Sequence, residues 1–454
     1  MSHADPDIAM AATLSSIALQ RSKPRHPSVH LITDGPVARA MVVNRSRLVD
    51  LPQTIARSLD YALAAEDEAS VRSLLTLIGL DEPVAINDQP LQSPPLHAIS
   101  LAVAQGCNLA CGYCYAQQGS FGGPSTRMSV ETAQLAVKQL IEARQHGESV
   151  NIAFLGGEPL LGRDVIREAT HFAAALARER GVNVGFSITT NGTLLTEEDG
   201  LFFETYGFAV TISVDGVGHV HDALRPARDG SGTYDRLMTR VRPLLKLQHK
   251  MQVSARVTVT PHNLNLLETL QALTAEGFHS VGFSPLVRAS NGQDELNEGE
   301  VAALLEQMIS CGLAYEKAVL TGQRLPFANL ETALRELDRG SHRPYPCGAG
   351  AGYLAVSANG DLSACHRFVE ADEGQMGSLI TGIDTAARNQ WLAERHVHAQ
   401  HPCQQCWARY LCAGGCHHEV LGRGRHLCDF IRGWLHYVLQ AHGRLERLLH
   451  AHSA

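Results

Sequence analysis

Gly106-Cys-Asn-Leu-Ala-Cys-Gly-Tyr-Cys-Tyr115 sets Cys107, Cys111 and Cys114 in a C-x3-C-x2-C spacing, with the aromatic Tyr113 just before the last cysteine. Three thiolates on one short loop can hold three corners of a 4Fe–4S cluster, because soft sulfur ligands select iron–sulfur chemistry. The fourth iron is then left without a protein ligand. An open iron is what a cluster needs if it must bind a substrate as well as pass electrons. A zinc knuckle or buried free thiols are the plainer alternatives. Zinc sites usually pair two C-x2-C-type halves, and a three-cysteine loop without a nearby fourth ligand fits them poorly.

The loop follows an apolar run, Ile99–Val103, and beyond it strand and helix patterns alternate. Val150–Leu155, Val182–Ile188, Phe208–Ser213, Val253–Val259 and Ser280–Phe283 repeat the strand pattern. A helix capped by Ser129, with Ala133, Ala136, Val137, Leu140 and Ile141 on its core face, is the first of those between. Val165–Ala177, Glu197–Tyr206, Tyr234–Gln248 and Leu264–Ala275 supply the others. Six such units predict an α/β fold built on a partial (β/α)6 barrel, whose site lies at the carboxyl ends of the strands. Cys107–Cys114, Gly156–Pro159, Thr190–Gly192 and Ser213–Gly216 all fall there.

Outside the barrel, residues 1–26 are polar, without a sustained period, and are expected to be mobile. Residues 27–95 read as a small α+β module with a proline-bearing linker at its end. The barrel is assigned to 96–295, a helical bridge to 296–346, a cysteine-rich domain to 347–435 and a terminal helix to 436–454. The chain has 454 residues, 44% of them hydrophobic, and a formal charge of −8. That charge argues against nucleic acid as the main partner. No apolar run reaches membrane length and the N-terminus lacks signal-peptide features, so a cytoplasmic protein is expected. In a reducing compartment the eleven cysteines read as metal ligands rather than disulfides.

The cysteine loop, with Gly156-Gly157-Glu158-Pro159 one strand later, resembles the radical S-adenosylmethionine (radical SAM) superfamily. The resemblance implies that the open iron chelates SAM and that one electron cleaves it to a deoxyadenosyl radical. Tyr113, Gly156, Gly157, Glu158 and Pro159 would then contact SAM, the two glycines by letting a ligand approach the backbone. Asn191, Ser213 and Asp215 would hold its ribose or carboxylate. Ordinary strand-end turns are the competing reading for these three. Arg256, odd in an apolar run, would be buried against a carboxylate, either the ligand's or that of Asp215 or Glu158.

Cys347, Cys365, Cys403, Cys406, Cys412, Cys416 and Cys428 follow the seven-cysteine pattern of the SPASM extension of radical SAM peptide maturases. That resemblance implies two auxiliary iron–sulfur clusters, one on Cys347, Cys365 and Cys416, the other on Cys403, Cys406, Cys412 and Cys428. Some relatives carry an extra cysteine after the first; here Gly348–Tyr353 has none. His366 stands where sulfatase-maturing relatives carry a carboxylate base, and histidine can still take a proton near neutral pH. Cys347–Leu354, Cys365–Val369 and Cys406–Glu419 are similar to the branch that installs intrapeptide thioethers, as on the small subunit of quinohemoprotein amine dehydrogenase. The implied activity is crosslinking of a cysteine sulfur to an unactivated carbon in a ribosomally made peptide or small protein. A flavodoxin- or ferredoxin-type protein would donate electrons, and no membrane is involved. Other radical modifications, including formylglycine-type oxidation, and a multi-cluster electron carrier are the alternatives. Residues 28–86 resemble in outline modules that grip leader peptides by strand addition.

Overall fold

A helix, α1 (Pro6–Ser22), occupies the stretch expected to be mobile. Its signal is short: among its described side chains, those of residues 10–18, Thr13 and Ile17 one turn apart are the buried ones. Residues 1–5 and 23–25 of that stretch lie outside the computed structural model's described residues, which are 6–22, 26–33, 37–81, 83–289, 292–340 and 343–453. The chain forms two units: residues 1–89, 297–346 and 394–454 in the first, and 90–296 with 347–393 in the second.

In the first unit β1 (Val29–Ile32), β2 (Ala38–Val42) and β3 (Arg47–Leu51) make an antiparallel sheet in that order. Helices α2 (Gln53–Ala64) and α3 (Glu68–Leu77) cover it, and Val29, Leu31, Ala40, Leu59, Val71 and Leu75 form the core between. The alternation of Leu59, Ala62 and Val71, Leu75 at helical spacing is what binds these faces. Edge strand β3 is largely accessible.

In the second unit β4 (Ala98–Gln105) carries the chain into the cysteine loop, and the two-residue β5 (Thr126–Arg127) pairs antiparallel with its end. Next come α4 (Val130–Glu142), β6 (Ser149–Gly156), α5 (Arg163–Arg180), β7 (Asn183–Thr190), α6 (Glu197–Tyr206) and β8 (Ala209–Ser213). A short α7 (His219–Leu224), α8 (Tyr234–Leu245), β9 (Gln252–Val259), α9 (Leu266–Glu276) and β10 (Val281–Pro285) complete the series. The six long strands are parallel, in the order β10-β9-β8-β7-β6-β4, and the sheet is open. This is the partial α/β barrel that the six units predict. Ser129 caps α4 by accepting the Thr132 N–H at 3.1 Å, and Ala133, Ala136, Val137, Leu140 and Ile141 are its buried face.

Strand residues alternate between the two faces. In β9 Val253, Ala255, Val257 and Val259 are buried, while Ser254, Arg256 and Thr258 are accessible on the other face. The reading of Arg256 as a buried arginine is therefore corrected. Period two, not burial, puts a polar residue there, and its guanidinium donates to Ser284 Oγ at 2.6 Å.

Helices α10 (Glu298–Leu320) and α11 (Ala328–Asp338) occupy the stretch read as a helical bridge and belong to the first unit. Cys311, which fits no cluster, is fully buried in α10. The chain then crosses back: β11 (Tyr353–Val356), β12 (Asp361–Ser363), β13 (Gln375–Ser378) and β14 (Gly382–Ile383) form a meander. β11 pairs parallel with β4, Tyr353 opposite Ala98 through Val356 opposite Leu101. The barrel sheet thus continues past its first strand, and residues 347–435 are not one domain. Residues 347–393 belong with the barrel, and 394–435 with the first unit. After α12 (Thr385–Arg395), the short α13 (Arg409–Cys412) and α14 (His417–Arg423) lead to the long α15 (Cys428–Ser453). Among the described residues no helix is long and apolar enough to cross a membrane.

Candidate functional site

Cys107, Cys111 and Cys114 lie on the loop that leaves β4, all partly accessible. Burial pushes the Cys107 thiol up to about 11, with Glu158 and Cys114 adding to the shift; the Leu109 N–H and the Asn191 amide oppose it. Burial likewise pushes Cys111 up to about 12, against the pull of Arg225, with Cys114, Asp215 and Cys107 adding. The three thiols therefore sense one another. Cys107 and Cys111 are protonated as free thiols, and a bound metal would have to displace their protons. Among the described residues no three His, Cys, Asp or Glu side chains stand as a ligand set for a single ion. The donor set fits an iron–sulfur cluster in its chemistry: three soft thiols on one short loop, with the Leu109 N–H 3.4 Å and the Asn191 amide 3.7 Å from the Cys107 sulfur.

The Gly156–Pro159 turn lies directly on this loop. Gly157 N–H donates to Ala104 O and Glu158 N–H to Gly106 O, each at 2.9 Å. A Cβ on Gly156 would strike the Ala104 carbonyl, and one on Gly157 the Gly106 carbonyl and the Gly119 backbone. The glycines are needed for chain against chain, before any ligand is considered. Pro159 starts a short turn of 3-10 helix in which Glu158 caps Leu160. The Glu158 carboxylate is fully buried and accepts from Thr190 Oγ1 (2.6 Å), Asn191 N (2.8 Å) and Leu160 N (3.1 Å). Burial raises its pKa, and these donors oppose the rise. Asn191 in turn donates to Asn108 Oδ1 at 2.9 Å, and Asn108 to Thr193 Oγ1 at 2.8 Å. The end of β7 is tied to the cysteine loop through Asn108, a residue the sequence reading passed over.

Asp215, at the end of β8, is fully buried. Its Oδ2 accepts from the Tyr113 hydroxyl and from Arg225 Nε (2.7 Å), and its Oδ1 from Thr258 N (2.8 Å). The ion-pair partner is Arg225, not Arg256. Ser213, half-buried, stands beside Arg256 in register. The Asp215 N–H donates to His221 Nδ1 at 3.2 Å, so His221 carries its proton on Nε2, toward Thr233 Oγ1 at 3.2 Å. Burial lowers the His221 pKa from 6.5 to about 4, with Arg225 reinforcing the shift. A histidine held neutral stabilises the fold above its unfolded pKa, and that contribution is lost as pH falls from 6.5 toward 4. The loss between pH 7 and pH 5 should be on the order of 2 kcal/mol. Urea unfolding at the two pH values should show this loss in the wild type and a smaller one in His221→Asn; parallel losses would refute it.

Tyr353 links the meander to the same unit. Its hydroxyl is hydrogen-bonded to Ser100 Oγ at 2.6 Å and to His366 Nδ1 at 3.1 Å. Burial raises its pKa, with Cys365 and Cys347 adding, so both thiols lie near it. Tyr115 is raised in the same way, with Cys114 and Cys365 both contributing. The His366 ring meets Tyr115 edge-on at 5.8 Å, and Arg367 lies over the Tyr115 ring at 5.1 Å. His366 is thereby fixed beside the first cysteine loop. In the first unit burial pushes Cys412 up to about 12, with Cys406, Cys403 and Cys428 adding. Cys412 thus senses the other three thiols of the expected second group. Cys416, at the start of α14, is exposed and belongs to the first unit; Cys347 and Cys365 belong to the second.

Residues 101–273, which span the barrel from β4 through α9, match the sequence model of the radical SAM superfamily. Over those residues the barrel is similar to a radical SAM domain. The cofactors of such domains are a 4Fe–4S cluster and SAM, and the loop and turn just described are where this chain would hold them. The chain is 25% identical over 361 residues to the serine-type anaerobic sulfatase-maturating enzyme of Klebsiella aerogenes, covering 76% of this chain and 86% of that protein. It is 24% identical to the cysteine-type enzyme of Clostridium novyi, covering 69% and 85%. The structure of anSMEcpe with bound AdoMet superposes with a TM-score of 0.65 at 19% identity, covering 77% of this chain and 99% of that one. Streptococcus suis SuiB gives 0.52 at 14%, covering 89% and 98%. At such identities the two structures speak for the fold alone.

Proposed function

We propose that this chain is a radical SAM enzyme that oxidises a cysteine or serine of a peptide or protein to the carbonyl level, the formylglycine-type reaction. The reading is supported above all by Tyr115, whose ring meets His366 edge-on at 5.8 Å and whose hydroxyl senses both Cys114 of the first loop and Cys365 of the candidate auxiliary site. Oxidising a β-carbon in this way removes a hydrogen atom, a proton and an electron, and for cysteine water then replaces sulfur. SAM on a 4Fe–4S cluster supplies the radical that takes the hydrogen atom. His366, held by Tyr353 and Tyr115, would take the proton. A second centre must take the electron, which gives Cys347 and Cys365 a use. The serine- and cysteine-type relatives support the same substrate chemistry.

Thioether crosslinking is the second reading. It is favoured by His366 in place of the carboxylate of sulfatase-maturing relatives, and by the absence of cysteine in Gly348–Tyr353. The precursor would bind by strand addition to β3, the accessible edge of the small sheet. A flavodoxin- or ferredoxin-type protein would supply electrons. The deciding experiment is an anaerobic reaction with a cysteine-containing peptide, read by mass spectrometry and hydrazide labelling. The first reading predicts a hydrazide-reactive carbonyl. Loss of two hydrogens with a blocked thiol and no carbonyl selects the thioether, and deoxyadenosine without any peptide product rejects both.

A further inference from the structure

The ten residues of the cysteine loop are braced by a segment of which the superfamily resemblance assigned only the first residues, at Asp215. We propose that residues 215–228, from the end of β8 through α7 and the turn after it, position the loop, and that Arg228 sets the reduction potential of the cluster held there. Four ties carry the proposal. Asp215 takes the Tyr113 hydroxyl. Ala110 N–H donates to Pro226 O at 2.9 Å. Leu109 and Ala227 form an isolated antiparallel bridge. Arg228 Nε donates to the carbonyl oxygen of Cys107 at 2.8 Å. The segment's own shape is fixed by His221 and by Thr233, whose hydroxyl donates to Arg225 O at 2.6 Å.

Charge separates the roles of the two arginines. Arg225 lies 5.5 Å over the Tyr113 ring and is paired with the buried Asp215 carboxylate. To first order that pair presents a dipole to the loop rather than a net charge. Arg228 is exposed, and among the described residues no carboxylate pairs with it. Its charge therefore reaches the loop uncompensated, one carbonyl away from a candidate ligand. Reduction makes a thiolate-bound cluster more negative, so a nearby cation favours the reduced state and raises the potential. Arg225, Asp215 and Tyr113 hold the loop's geometry; Arg228 holds both geometry and charge. All are positioning residues.

The test uses the full-length, anaerobically reconstituted enzyme without peptide. It rests on the radical SAM reading but not on the substrate chemistry. If the wild type lacks a cluster whose EPR signal responds to SAM, the functional reading fails, and the test of the brace is not what failed. Arg228→Gln keeps an N–H donor for the Cys107 carbonyl and removes the charge; Arg228→Lys keeps the charge. Arg228→Gln is expected to shift the SAM-responsive cluster to more negative potential, with the other clusters unmoved, and Arg228→Lys to stay near the wild type. Because Arg228 is exposed, the gap should narrow as salt is raised above 0.1 M, where the Debye length is about 10 Å. Tyr113→Phe should alter the EPR line shape of that cluster alone. Equal potentials in the wild type and Arg228→Gln would overturn the charge role, as would a lysine variant shifted as far as the glutamine one. An unchanged line shape in Tyr113→Phe would overturn the positioning role.

Discussion

Replacing Cys107, Cys111 and Cys114 together with alanine is expected to reduce SAM cleavage to background while the C-terminal thiols keep their iron. The reason is chemical rather than architectural. The three thiols are the soft donors of the loop that leaves β4, and Cys107 and Cys111 each sense Cys114. The rest of the barrel mouth carries oxygen and nitrogen donors, which suit harder ions. The loop backbone is separately fixed by its bonds to the Gly156–Pro159 turn and to residues 226–228. Removing three side chains should therefore leave the fold in place. Deoxyadenosine formation with dithionite, read beside iron content and circular dichroism, checks the result. Undiminished deoxyadenosine from the triple variant would end the ligand assignment.

Cys365→Ala and His366→Gln are expected to do the opposite, leaving SAM cleavage intact and stopping the modified peptide. Cys365 lies near Tyr115 and Tyr353, outside the first loop, so its loss should not empty the SAM cluster. His366 is held by Tyr353 and Tyr115 and is the proton acceptor of the proposed reading, and general-base losses run to about 10²–10⁴-fold. His366→Gln keeps a hydrogen-bond partner for Tyr353, which makes it the gentler of the two. The ratio of modified peptide to deoxyadenosine is the measurement. If that ratio is unchanged in both variants, the meander does not take part in the chemistry. A Cys365→Ala protein that has unfolded leaves the His366→Gln result to decide, since a metal site can staple the domain around it.

The barrel was legible because each strand repeats a period of two and each helix a period near four. Val253, Ala255, Val257 and Val259 against Ser254, Arg256 and Thr258 show it in one strand. The same alternation, read as a continuous apolar run, produced the wrong burial for Arg256. The loop position of Cys107, Cys111 and Cys114 at the end of the first barrel strand was legible from the apolar run before them. Long-range pairings were not. Nothing local in Tyr353–Val356 says that it lies beside Ala98–Leu101, or that Arg225 rather than Arg256 meets Asp215. His221 and Arg225 look in sequence like polar residues at helical spacing, and only the turn that buries His221 gives it a role. Gly156 and Gly157 were found for the right position, but what their missing side chains make room for first is the neighbouring backbone.

The pairing of β11 with β4 also bears on how this enzyme could be dissected or recombined. A boundary drawn where cysteines become frequent, at 347, cuts through a continuous ladder of backbone hydrogen bonds. A fragment ending there would leave much of the outer edge of β4 as a raw, apolar template for pairing with other chains. Its solubility would then report the cut rather than the intrinsic stability of the barrel. Grafting a foreign C-terminal region onto this barrel faces the same constraint, since the graft must bring its own strand in register with Ala98–Leu101. The modules that can be exchanged are set by the sheet and not by the metal ligands.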